Sequence, residues 1–299
     1  MKKINPSSRR QFISLSGKAL TAAALLSASG NVFANEKGEP TVGDIMDAFI
    51  KEVPGAPFEK TVDTLKAGNR DINVKGIITT MFATIEIINK AIATGVNFII
   101  AHEPTFYNHP DDTRWLEKDD VFNYKMDLLK KHNIAVWRNH DYIHSHIPDG
   151  VDDYVVKQLG WTRFYDTTSG VVMVNPITLQ QLITHAKQSL KIKELRYIGS
   201  PLQSCRKILL MPGASGGQRQ IKAIGEQKPD VLMCGEIQEW ETAEYVRDAR
   251  AKGDSLSLIV LGHIPSEEPG SAYMADWLKK KFPTLKTMHI GANSPFSFA

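Results

Sequence analysis

Short apolar runs alternate with amphipathic helical stretches along most of this chain, and that alternation restricts the fold more than any other feature. Residues 75–81 (KGIITTM), 96–101 (VNFIIA) and 134–138 (IAVWR) are β-branched or apolar and read as buried strands. Between them, residues 84–94 place Ile85, Ile88, Ala91 and Ile92 on one helical face, closed by Gly95. Residues 121–131 form the next helix. Strands separated by helices and short connections pair in parallel, with the helices covering the sheet. A helix over 41–53 precedes this run. A second run follows, with helices over 179–190, 218–226, 239–251 and 271–282. Its strands cover 195–199, 207–211, 231–234 and 256–261, and residues 287–290 are an edge strand. The predicted fold is α/β, built of two similar halves, about 41–160 and 161–299, with mixed, mostly parallel sheets flanked by helices.

The chain has 299 residues, 42% of them hydrophobic and 23% charged, which is a globular composition. Its net charge of +3 is unevenly placed. Residues 1–35 contain Lys2, Lys3, Arg9, Arg10 and Lys18 and no acid, so the body beyond them is near −2. The basic pI of about 8.7 therefore belongs to the leader, and a nucleic-acid partner loses its electrostatic footing. The leader itself reads as an export signal. It has a charged start, an Arg9-Arg10 pair before Gln11-Phe12-Ile13, an Ala/Leu-rich run over 19–28, and Val32-Phe33-Ala34 as a cleavage region. The arginine pair resembles a twin-arginine signal. The apolar run is about half the length a membrane span requires. The expectation is an exported, periplasmic or extracellular protein, cleaved near Ala34 and unanchored. Cys205 and Cys234 are the only cysteines and sit beside strand-like runs, where buried free thiols are expected.

The chemistry-bearing residues cluster just beyond strand ends, the edge at which open α/β sheets bind ligands. Strand 96–101 leads into His102-Glu103-Pro104. Strand 134–138 leads into Asn139-His140-Asp141-Tyr142-Ile143-His144-Ser145-His146. Strand 231–234 leads into Gly235-Glu236, and strand 256–261 into Gly262-His263-Ile264-Pro265-Ser266-Glu267. Of nine histidines, five (His102, His140, His144, His146, His263) fall there. Imidazoles mixed with carboxylates suit Zn, Fe, Mn or Ni. So many donors at one edge point to two ions, with Glu103, Asp141, Glu236 and Glu267 available as bridging carboxylates. The His263–Glu267 spacing is helical, but Gly262 and Pro265 argue against a helix there.

A competing motif is Gly213-Ala214-Ser215-Gly216-Gly217, which fits G-x-S-x-G between a strand and a helix. It makes Ser215 a candidate nucleophile, with an acid and His263 following in order. It leaves the 102–103 and 140–146 clusters without a role. A tight turn holding an anion at a helix start is its plainer use.

Three segments together carry a resemblance: IIAHEPTFYN at 99–108, WRNHDYIH at 137–144, and CGEIQEWE at 234–241 with GHIPSE at 262–267. They resemble the Nif-three-like dinuclear-metal-centre proteins, whose bacterial members are often labelled GTP cyclohydrolase I type 2 homologues, over roughly residues 41–299. The resemblance implies two α/β halves facing each other across the metal site, and homo-oligomers such as hexameric rings. Carried over by position, the implied metal ligands are His102, Glu103, His144, His263 and Glu267. Glu103 stands where the family has a second histidine, and His144 where it has an aspartate. The set thus remains three imidazoles and two carboxylates. His140 matches a histidine near the family's site, and Asp141 is a candidate replacement ligand or orienting partner.

The expected function is a metal-dependent hydrolase acting on a small molecule, cyclohydrolase-like or amidohydrolase/phosphoesterase-like. His140 or Asp141 is its general acid/base, and Tyr107, Trp115 and Tyr142 line its pocket. The alternative is a non-catalytic metal- or ligand-binding oligomer, which shares the same site.

Overall fold

Strands β2 (Ile77–Thr80), β3 (Phe98–Ala101) and β4 (Ala135–Arg138) lie side by side in parallel, and every residue in them is buried. The computed structural model describes residues 38–299, with Glu39–Ala299 forming one unit. The expected export segment lies outside the described residues. Edge strand β1 (Leu65–Ala67) pairs antiparallel with β4, and with β11 (Thr287–His289) at the far edge the five-stranded sheet has the order β1-β4-β3-β2-β11. The second sheet has six strands: β5 (Tyr165–Asp166), β6 (Val171–Thr178), β7 (Arg196–Ile198), β8 (Ser204–Met211), β9 (Val231–Cys234) and β10 (Ser257–Val260). Its order is β5-β6-β8-β9-β10-β7. The parallel pairings β8-β9-β10 lie at its centre, and antiparallel pairings flank them.

Alternation along the strands decides which face each residue covers. Phe98 and Ile100 enter the same core as Val231, Met233 and Ile259 of the second sheet. Ile99 and Ala101 face the other way, onto Ile87, Ile88 and Ala91 of helix Ile85–Thr94 and Leu129 of helix Asp120–Lys131. Leu232 and Cys234 likewise turn outward to Val246 and Ala249 of helix Glu244–Ala251. One core therefore joins the two sheets and brings their strand ends into a common region. Cys205 and Cys234 are free and buried, and burial pushes their thiols up to about 11 and about 12.

Three features differ from the sequence reading. First, β11 (Thr287–His289) pairs in parallel with β2, so one strand from beyond residue 160 completes the first sheet, while the other strands divide near that point. Second, the last helix starts at His263 and runs to Lys281, eight residues earlier than expected. Gly262, at φ +91, precedes it, and Pro265 lies in the first turn, where a missing N–H costs no intrahelical bond. Third, helices Asp141–Ser145 and Gly150–Gln158 and strand β6 occupy a stretch whose sequence periodicity is weak. Among the described residues, no helix is long and apolar enough to cross a membrane.

Candidate metal centre

The backbone ladder continues past β3 and fixes the first two candidate ligands. His102 N–H donates to the Thr80 carbonyl and Glu103 N–H to that of Met81. Beyond β4, Asn139 N–H donates to the Ala101 carbonyl, so the two loops leave the sheet together. Asp63 is buried and accepts from the backbone N–H groups of His140 and Tyr142 at 2.8 and 2.7 Å, holding the start of helix Asp141–Ser145. From the second sheet, the turn after β10 starts the helix that carries His263 and Glu267 one turn apart on one face.

The sequence-predicted residues converge. His102, His140 and His144 each offer a nitrogen, and the three atoms lie within 4.8 Å of one another. Donor atoms of His102, Glu103 and Glu267 form a second such group, all buried. His263 Nε2 lies 2.9 Å from Glu267 Oε2 and 3.2 Å from Glu103 Oε1. His102 and His140 stack at 4.9 Å.

Each of these four imidazoles has its Nδ1 engaged by an oxygen. His102 meets the Asn139 carbonyl at 3.2 Å, His140 meets Asp141 at 2.9 Å, His144 meets Asp149 at 2.9 Å, and His263 meets Glu236 at 2.9 Å. This outer ring is the arrangement that orients metal-binding histidines and leaves Nε2 for the ion. His102 Nε2 is buried and has no hydrogen-bond partner, although Glu267 Oε2 lies 3.5 Å away. A buried nitrogen left without a partner costs free energy unless something else binds it.

The electrostatics make the same demand. Burial would raise the Glu103 and Glu267 carboxyls, but the neighbouring imidazoles outweigh it and hold both below their ordinary values. The His263 hydrogen bond keeps Glu236 low as well. Burial opposes charge on His263, yet bonding to Glu103, Glu236 and Glu267 lifts it to about 12. Burial, and then the adjacent His102, push His140 down to about 4. Burial also opposes charge on His144, but Asp149 overcomes it and raises the group to about 9. Three ionised carboxylates converging on one imidazole call for positive charge, which a divalent ion supplies more fully than a proton. The donor set therefore fits metal.

Glycines let the loops close on these side chains. A Cβ at Gly213 (φ +65) would stand 2.0 Å from Glu267 Oε1. The Gly213–Gly217 turn is thus a wall of the centre. Ser215 Oγ is met by the Gln220 amide at 3.4 Å, and both His263 nitrogens are taken by carboxylates, so no serine–histidine pair forms. Glu241 places a carboxylate oxygen 3.1 Å from Gly217 N, at the start of the helix.

Other expected residues fall elsewhere. His146 meets the Tyr273 hydroxyl and stacks on Phe49, away from the cluster. Tyr142 is buried against Phe58 and lines a cleft of about 740 Å³ with Met46, Ile50, Pro57 and Leu65. On this short helix Asp141 and His144 take the site face, which leaves Tyr142 and Ile143 to the core. Tyr107 and Trp115 are exposed. Sequence reasoning missed Asp63, Asp149 and Arg138. Arg138 ends a strand buried on both faces, and a charge in that position must be paired. Asp149 has the appearance of a simple helix cap.

The chain resembles known proteins in sequence and in fold. Residues 41–295 match the family described as Duf34/NIF3 (NGG1p interacting factor 3). A GTP cyclohydrolase 1 type 2 homolog of Clostridium perfringens is 25% identical over 272 residues, covering 86% of this chain and 99% of that protein. One from Clostridium acetobutylicum is 26% identical over 243 residues, covering 77% of this chain and 84% of its own length. Among solved structures, a hypothetical protein of Staphylococcus aureus superposes with a TM-score of 0.71 at 19% identity, covering 87% of this chain and all of that one. A Bacillus cereus protein related to NIF3 gives 0.70 at 16% identity, covering 88% of this chain and all of its own. On the extent of the sequence match, with the fold in agreement, this chain belongs to the Duf34/NIF3 family.

Proposed function

We propose that the chain is a metal-dependent hydrolase of a small molecule, built around two divalent ions drawn from Zn, Fe, Mn and Ni. The observation that carries this reading is the set of four imidazoles with their Nδ1 atoms engaged, grouped with Glu103 and Glu267 and including one buried, partnerless Nε2. His102, Glu103, His144, His263 and Glu267 are the ligands in this reading, and His140 joins them through its place in the three-histidine group. Bound divalent ions lower the pKa of coordinated water toward neutrality and polarise a carbonyl, amidine or phosphoryl centre. Asp141 accepts from the Thr61 hydroxyl and Val62 N–H as well as facing His140, so it serves to orient that ring. Glu236, with a side chain 55% exposed, holds Nδ1 of His263 and in this reading orients that ring from the solvent side.

The export signal adds a location outside the cytoplasm, where the protein acts as a homo-oligomer, a hexamer by analogy with the family. The test is hydrolysis of a panel of cyclic amidines, amides and phosphoesters before and after chelation. Turnover that is lost with metal and restored with it supports the hydrolase. Tightly held metal without turnover on any substrate favours the non-catalytic metal-binding alternative.

A further inference from the structure

Beneath the candidate ligands lies a fully buried arginine. Arg138 has no exposed surface. Its Nη2 lies 3.1 Å from Glu103 Oε2, and its Nε donates to the His102 carbonyl at 3.3 Å. Nη1 donates to the His109 carbonyl and lies 3.5 Å from Asp111 Oδ2. Asp111 is in turn paired with Lys66 at 3.1 Å. The guanidinium thus grips both residues of the His102-Glu103 pair from behind.

The consequence is an asymmetric carboxylate. Glu103 Oε2 is committed to Arg138, while Oε1 faces His263 Nε2 at 3.2 Å and His140 Nε2 at 3.7 Å. A guanidinium on one oxygen draws charge from the other and prevents the group from offering both. Resting on the dinuclear reading, we propose that Arg138 is a positioning residue that makes Glu103 a single-oxygen ligand and biases the centre toward imidazole-preferring ions over oxygen-preferring ones. Ions such as Mn²⁺ favour carboxylate oxygens, whereas Zn²⁺ is well served by imidazole. Removing Arg138 frees the second oxygen and shifts that balance.

The test measures dissociation constants for Zn²⁺ and Mn²⁺ on the full chain and on Arg138→Met. Their ratio is the readout, because a general loosening of the fold moves both constants together. The expected result is a shift of roughly tenfold or more toward Mn²⁺, the scale of outer-partner effects. Asp111 keeps Lys66 as a partner in this variant. An unchanged ratio in folded Arg138→Met overturns the inference while leaving the metal centre standing. Absence of metal binding by the unaltered chain overturns the dinuclear reading itself and this inference with it. Should Arg138→Met not fold, Glu103→Gln decides. With Arg138 in place, the amide must turn its oxygen to the guanidinium and its NH₂ to His263, so one ion is lost. Retention of both ions by Glu103→Gln overturns the proposal.

Discussion

Asp149 Oδ2 lies 2.9 Å from Nδ1 of His144, while its other oxygen accepts the backbone N–H groups of Val151 and Asp152. One carboxylate therefore orients a candidate ligand and caps the helix that follows. Asp149→Asn separates these duties, because Asn caps a helix about as well as Asp but lacks the charge. Metal affinity is expected to fall about 10- to 100-fold with little change in Tm. Competition dialysis beside a thermal melt checks it, and unchanged affinity removes Asp149 from the site.

Gly213→Ala is expected to damage the centre from the opposite wall. Its Cβ would overlap the Glu267 carboxylate, and the positive φ adds a backbone cost of about 1–2 kcal/mol. The variant should melt lower and also lose bound metal. Ser215→Ala, two residues away, should keep full metal content and activity. Loss of activity on removing that hydroxyl would revive the serine-hydrolase reading.

Asp152 supplies a pH signature. Burial, with Asp149 nearby, raises its carboxyl to about 6, and the Tyr165 hydroxyl donates to it at 2.9 Å. A folded value above the unfolded one means that the native state binds the proton more tightly. Stability from this group is present below about pH 4 and is lost as pH rises through 6. Asp152→Asn stays neutral and keeps an acceptor for Tyr165. It should be more stable than the parent by about 1–2 kcal/mol at pH 7, with the difference vanishing near pH 4. Chemical denaturation across that range checks it, and a constant difference at all pH values would contradict it.

Export is tested at the leader. Replacing Arg9 and Arg10 together by Lys should leave the protein uncleaved in the cytoplasm of a bacterial host that has the twin-arginine route. Fractionation followed by immunodetection reads the outcome, and normal export of the double variant refutes that signal.

The parallel strands were legible because burial on both faces leaves short apolar runs, as at 96–101 and 256–261. The site was legible because His102, His140, His144 and His263 fall immediately beyond such runs. Other features depend on tertiary contacts. A three-residue strand such as Thr287–His289 carries no sign of which sheet will accept it, and here it joins β2. Gly262 and Pro265 look like helix breakers until one sees that they stand before and within a first turn. Which ring nitrogen each histidine presents depends on Asn139, Asp141, Asp149 and Glu236, whose roles appear only when distant segments meet. Arg138 was readable in principle as a charge in a buried strand, but its partners Glu103 and Asp111 come from another loop.

The central claim is that His102, Glu103, His140, His144, His263 and Glu267 together hold two ions. Elemental analysis of the protein purified without chelator, beside His102→Ala and Glu267→Gln, tests it most directly. About two divalent ions per chain are expected in the parent, with a clear loss in each variant. A folded parent that binds no divalent ion when supplied with Zn²⁺, Fe²⁺, Mn²⁺ or Ni²⁺ would contradict it.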